Sequence, residues 1–196
     1  MPFKIQEFRG KALNKAGARA NLFQVTLLGT PSEAGLNADE FRFACKAAAI
    51  PAMTVATVDV PYFGRVIKVP GNKTFENWTV TVINDEDFNI RNSMEKWIAA
   101  MGTHVGNVAK LGGTLEGTKP SLYGQATVTQ YGKAGESDTN ALHKYDFVNV
   151  FPVSLGEIAL AWDSNDAIEE FTVEFAYDYW SHSGGTPGGA VAGTVN

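Results

Sequence analysis

The stretch NWTVTVIN, residues 77–84, alternates strictly, with Trp78, Val80 and Val82 on one side and Thr79 and Thr81 on the other. FTVEFAYDYW, residues 171–180, repeats the pattern: Phe171, Val173, Phe175, Tyr177 and Tyr179 against Thr172, Glu174, Ala176 and Asp178. A helix would scatter such side chains around its axis, whereas a strand gathers them on one face. One face on a core and one in water is the antiparallel arrangement. NLFQVTLL, FRFACKA, RVIKV, ATVTQY, YDFVNVFPV and EIALAWD share strand length and a Val, Phe, Ile and Leu bias. The expected fold is mainly β, an antiparallel β-barrel or sandwich.

NDEDFNIRNSMEKWIAAMG predicts one flanking helix over about 85–101. Asn84 or Asp85 is the expected N-cap, and Glu86 and Asp87 suit the first turn. Ile90, Met94, Trp97 and Met101 then recur at helical spacing, and Gly102 ends the run. Residues 1–20 are basic and read as an N-terminal arm, 102–120 and 132–141 as loops, and 181–196 as a Gly-rich C-terminal extension. At 196 residues the chain is expected to be one domain, 1–196.

Composition narrows the function. A net charge of −5 argues against a protein that grips nucleic acid through phosphates. One cysteine leaves no internal disulfide. Neither a secretory signal nor an apolar run of membrane-spanning length is visible, so the expectation is a soluble product with no membrane insertion.

Catalytic and metal motifs are weak. The acids at 85–87 suffice as a helix N-terminus. DSNDAIEE, residues 163–170, lacks the glycine and terminal Glu of a calcium loop. In GGTLEGTK a threonine separates Gly117 from Lys119, which breaks the phosphate-loop pattern. His104, His143 and His182 stand apart, and Cys45 reads as a small buried hydrophobe. Asn72 and Asn77 head chance glycosylation patterns. No enzyme, cofactor or metal is expected. Trp78, Trp97, Trp162, Tyr177, Tyr179 and Trp180 read as core packing, with a carbohydrate platform as the alternative.

Two features survive. The first is KAAAIPAMTVATVDVPYFGRVIKVPG, residues 46–71, uncharged from Ala47 to Val58 yet punctuated by Pro51, Pro61 and Pro70. Proline at these spacings suits neither a central strand nor a core helix. The second is a pair of expected strand faces with no lysine or arginine from Gly156 through Trp180. Glu157, Ala159, Ala161 and Asp163 form one face, and Thr172, Glu174, Ala176 and Asp178 the other. Such a face reads either as an ordinary solvated sheet or as a wall that repels a polyanion.

NLFQV (21–25), FACKAAAIPA (43–52), GRVIKVPGNKTFENWTVTVINDE (64–86) and PVSLGEIALAWDSNDAIEEFTVEFAYDYW (152–180) resemble, in order and spacing, the tail tube proteins of T4-like contractile-tailed bacteriophages. The resemblance spans roughly residues 20–180 and departs from the family at the N-terminal arm, at 102–120 and at 181–196. It implies hexameric rings stacked into an inner tube that conducts DNA into the host. Implied partners are further copies of itself, the tail sheath, the tape measure protein, the baseplate hub that initiates the tube and the tail terminator. DNA would pass through the lumen without specific binding. The location implied is the virion tail, assembled in the bacterial cytoplasm. An effector-carrying contractile injection system is the alternative.

In that family a loop or hairpin between early strands reaches the neighbouring ring, and residues 46–71 occupy the matching place. Ile50, Pro51, Met53, Val55, Val58, Val60, Tyr62, Phe63 and Arg65 are therefore expected at inter-subunit contacts. An apolar patch of this length is otherwise a liability. Glu157, Asp163, Glu174 and Asp178 are the candidate lumen-facing acids.

Overall fold

A computed structural model describes residues 4–11, 17–106, 108–109, 121–133, 141–163 and 167–183. Among them the elements run α1 (Ile5–Lys11), β1 (Phe23–Leu28), α2 (Ala38–Ala44), β2 (Cys45–Ala48), β3 (Met53–Tyr62), β4 (Arg65–Phe75) and β5 (Trp78–Ile83). α3 (Asn89–Met101), β6 (Gly124–Tyr131), β7 (Ala141–Leu155), β8 (Glu170–Ala176) and β9 (Tyr179–Ser183) follow. The main sheet has the order β1-β6-β7-β8-β5-β2, with β9 also paired to β7, and every pairing is antiparallel. The path does not close: β1 and β2 remain its two ends, so the fold is a sandwich-like open sheet rather than a barrel.

β7 makes the two layers. Its first part, Ala141–Val148, lies between β6 and β9, and its second part pairs with β8. The switch falls at Asn149, whose φ of 57° lies in the left-handed region that Asn tolerates better than most residues. The Asn149 Nδ2 donates to Asp178 Oδ2 at 2.5 Å, and the Asp178 N–H donates to the Val148 carbonyl at 3.1 Å. These bonds also explain why FTVEFAYDYW is two strands, with the chain changing partner at Tyr177–Asp178.

The alternating strands meet as their sequence requires. Val80 and Val173 are cross-strand partners and both are fully buried. Trp78 stacks on Phe147 at 4.6 Å between ring centroids and donates its Nε1–H to the Ala49 carbonyl at 2.8 Å. α3 seats Ile90, Met94, Trp97 and Ala100 on this core.

Four expectations need correction. The predicted helix starts later, at Asn89 behind a left-handed Phe88, with no side-chain cap. Asn84 is instead tied to Glu169, accepting nothing from the helix while its Nδ2 donates to the Glu169 carboxylate at 2.9 Å. FRFACKA divides between α2 and β2, because Asn37 caps α2 by accepting from the Asp39 N–H at 3.1 Å. Helices are therefore not limited to the one predicted; α1 and α2 are short additions.

EIALAWD is not a strand. The chain is pinned at Gly156, whose N–H donates to Thr172 at 2.7 Å and whose carbonyl accepts from Arg91 Nη1 at 2.7 Å. A Cβ there would come within 2.4 Å of the Thr172 hydroxyl, so only glycine fits. Beyond it β8 is already flanked by β5 and β7, so residues 157–163 find no free edge on the strand that follows them. The expected loop cores at 110–120 and 134–140, positions 164–166 of the rejected calcium-loop match and the extension from 184 onward lie outside the described residues.

Candidate assembly surface

β3 and β4 form a two-stranded ribbon that pairs with no other strand among the described residues. Ten residues of strand make it roughly 30 Å long. Its tip is a two-residue turn with φ of 42° at Phe63 and 79° at Gly64. Two positive φ values match the twist that a tight hairpin needs, and glycine takes the second position without strain.

The register explains the prolines. Counting from the closing pair Tyr62↔Arg65, hydrogen-bonded and non-hydrogen-bonded pairs alternate. Pro61↔Val66 and Thr57↔Pro70 both fall on non-hydrogen-bonded pairs, so neither proline removes a ladder bond. A ribbon has only edges, which is where a strand tolerates proline.

The same register sorts the side chains. Val58↔Val69, Val60↔Ile67 and Tyr62↔Arg65 share one face, which is apolar apart from Arg65. Asp59↔Lys68, Pro61↔Val66 and Thr57↔Pro70 share the other, which mixes charge with apolar groups. Past these pairs the register shifts where Gly71 and Asn72 oppose Ala56, and Met53 and Val55 alternate onto the side of Thr57 and Asp59. The nine expected contact residues are thus divided: Val58, Val60, Tyr62 and Arg65 on the apolar face, Met53 and Val55 on the other. Phe63 stands at the tip, and Ile50 and Pro51 lie ahead of the ribbon. Ile67 and Val69 belong with the first group, and their alternation across the turn is the sequence signal that identifies them.

This ribbon is almost wholly exposed. Val58 is 53% exposed, Ile67 54% and Phe63 91%. At its base Phe75 packs near Tyr177 and Trp180, with ring centroids 6.2 Å and 6.4 Å away. The Tyr177 hydroxyl and Trp180 Nε1 are buried there without a hydrogen-bond partner. Burial first, and the Glu76 carboxylate second, push the Tyr177 phenol above its ordinary value.

The four acids do not share one face. Glu174 lies on the outward side of β8 and accepts from Asn77 Nδ2 at 2.9 Å. Asp178 sits in the break between β8 and β9, held by Asn149. Glu157 and Asp163 lie on the unpaired segment after Gly156, not on a strand face. The outward side of the sheet is also not free of cations, because Lys46 of β2 pairs with Glu170.

Trp78 and Trp97 are buried and Tyr177 and Trp180 pack against the core, so four of the six aromatic residues are core; Tyr179 is half exposed and Trp162 fully exposed. Among the described residues no group of three or more His, Cys, Asp or Glu could hold a metal ion. Among the described residues no helix is long and apolar enough to cross a membrane. Burial raises the Cys45 thiol from 9.0 to about 12, which disfavours the reactive thiolate.

The family model described as phage tail tube protein matches residues 18–183. The chain is 38% identical over 164 residues to tail tube protein gp19 of Enterobacteria phage T4, covering 83% of this chain and 90% of that one. Among solved structures it is similar to the tube-terminating cap of the anti-feeding prophage, with TM-score 0.61, 18% identity and coverage of 86% and 91%. It is also similar to a chain of the sheath-tube complex of an extracellular contractile injection system, with TM-score 0.53, 14% identity and coverage of 93% and 99%. These likenesses extend the fold beyond phages. Sequence identity and the family model together decide membership: the chain belongs to the phage tail tube protein family and is a structural component of the virion tail.

Proposed function

We propose that six copies form a ring, that rings stack into the inner tube of a contractile tail, and that this tube conducts DNA into the host. The observation that carries the reading is the β3–β4 ribbon, with an apolar face that no other described part of its own chain covers. In the stack, Val58, Val60, Tyr62, Ile67 and Val69 lie against a neighbouring subunit. Fully burying one such side chain is worth about 1.5–3 kcal/mol, so burying the remaining half of each adds about 1 kcal/mol per residue. Repeated over a ring, modest contacts of this size make a stiff tube. The contact joins two different surfaces, so it does not close on itself and growth continues along the axis.

The whole chain acts as one unit, with 1–20 and 181–196 as arms and 46–71 as the reach between rings. Sheath outside, tape measure protein inside, an initiating baseplate hub and a terminator bound the tube. Glu174 and Asp178, of the four acids expected to face the lumen, are assigned there, where like charge keeps DNA from adhering. Electron microscopy of the purified protein tests the reading: rings or tubes support it, and a protein that stays monomeric at high concentration contradicts it. Charge-reversed tubes that eject DNA at the wild-type rate would remove the lumen assignment alone.

A further inference from the structure

The segment Glu157–Asp163 has the composition of a strand but no partner. Leu160 is 80% exposed and Trp162 completely exposed, and neither Glu157 nor Asp163 has a cation beside it among the described residues. A fully exposed tryptophan flanked by acids, on backbone that joins no sheet, is a surface made for another molecule.

The counterpart lies at the open seam. Where β1 begins and α2 runs into β2, a groove of about 400 Å³ is lined by Phe23, Arg42, Phe43, Lys46 and Lys133, among others. No carboxylate is among its lining residues. Lys46 is already paired with Glu170, but Arg42 and Lys133 have no acidic partner among the described residues. The Arg42 guanidinium lies over the Phe43 ring at 4.7 Å, and its Nε is buried with no acceptor. Phe23 and Phe43 give the groove aromatic surface beside the cations Arg42 and Lys133, and the adjoining β1 is an end strand of the sheet. Groove and segment are complementary in both charge and polarity.

We propose that the Glu157–Asp163 segment of one copy docks into this groove of a second copy, with Trp162 on the Phe23 and Phe43 side and Asp163 facing Arg42 and Lys133. Each copy then presents one groove and one segment, a head-to-tail contact that propagates around a ring. The inference rests on the ring reading above and names its lateral contact. It also removes Glu157 and Asp163 from the lumen and leaves that place to Glu174 and Asp178.

The test uses the full chain with Cys45→Ser, to which Asn21→Cys at the groove and Ala161→Cys on the segment are added, so that the docking charges stay in place, bridged by a short bis-maleimide. The double variant is expected to give a covalent ladder extending beyond the dimer on a denaturing gel, while each single variant stays monomeric. Rings in micrographs without a ladder overturn the docking and leave the ring reading standing. A protein that forms neither rings nor ladder overturns both. A second pair of variants guards against misfolding. Lys133→Glu alone and Asp163→Lys alone should each lower ring yield about ten-fold or more with unchanged melting temperature. Mixing the two restores rings, because alternating copies then match every groove to an opposite charge. Failure of the mixture to recover overturns the docking.

Discussion

The sandwich core and the β3–β4 ribbon are both antiparallel and both rich in valine, yet they spend those valines differently. In β5 and β8 Val80 and Val173 face each other at no exposure, beneath two layers of sheet. In the ribbon Val58 and Val69 face each other just as directly, yet both stay exposed. Pairing alone does not bury a side chain; a second layer does. The core has its second layer within the chain. The ribbon, a two-stranded unit of marginal stability by itself, has none among the described residues, and the proposed stacking would supply it.

The sharpest way to break this contrast is one substitution in each region. Val80→Asp places an unpaired carboxylate in the core and should cost more than about 4 kcal/mol, leaving no cooperative melting transition by circular dichroism. Val58→Asp is the same chemical change on an exposed ribbon face. It should leave the melting temperature of the dissociated chain within about 2 °C while abolishing tubes in sedimentation. Normal tubes from Val58→Asp would show that the apolar face is not a contact.

A smaller effect tests the bend that creates the two layers. Asn149→Ala loses the bond to Asp178 and forces alanine into a left-handed conformation, at about 1–2 kcal/mol together. Denaturant titration should show that loss with an unchanged slope. A further check concerns Cys45 beside the seam. Its folded pKa of about 12 exceeds the ordinary 9.0, so the fold favours the protonated thiol. The resulting stability is complete below pH 9 and is lost as the pH rises toward 12. At pH 8 a thiol reagent should react about a thousand-fold more slowly with the native chain than with the denatured one.

The sandwich was legible because its period of two is imposed by burial on one face, as Trp78–Ile83 and Phe171–Phe175 show. The ribbon was legible as an anomaly: Pro61 and Pro70 ruled out a central strand, and the register shows them at positions where no ladder bond is lost. What could not be read were features set by competition between partners. Asn84 looks like a cap, but Glu169, distant in sequence, claims it. Phe41 and Phe43 alternate like a strand, yet Asn37, Asp39 and Glu40 start a helix that takes them both, and this capping signature was available in the sequence. Glu157–Asp163 has strand composition without a neighbouring edge, and composition cannot report which edges are free.

The same contrast separates the acids. Glu174 and Asp178 are fixed within the chain by Asn77 and Asn149, so their positions belong to the fold. Glu157 and Asp163 have no such hold among the described residues, and the proposed docking would supply one.

Hydrogen exchange over residues 53–75, measured in the dissociated chain and again in assembled tubes, addresses the central claim most directly. The ribbon amides should exchange rapidly in the isolated chain, while those of β5 and β8 are protected in both states. Assembly should then slow the ribbon by orders of magnitude and leave the core unchanged. Equal protection of residues 53–75 in the two states would mean that the ribbon is not the surface through which the tube is built.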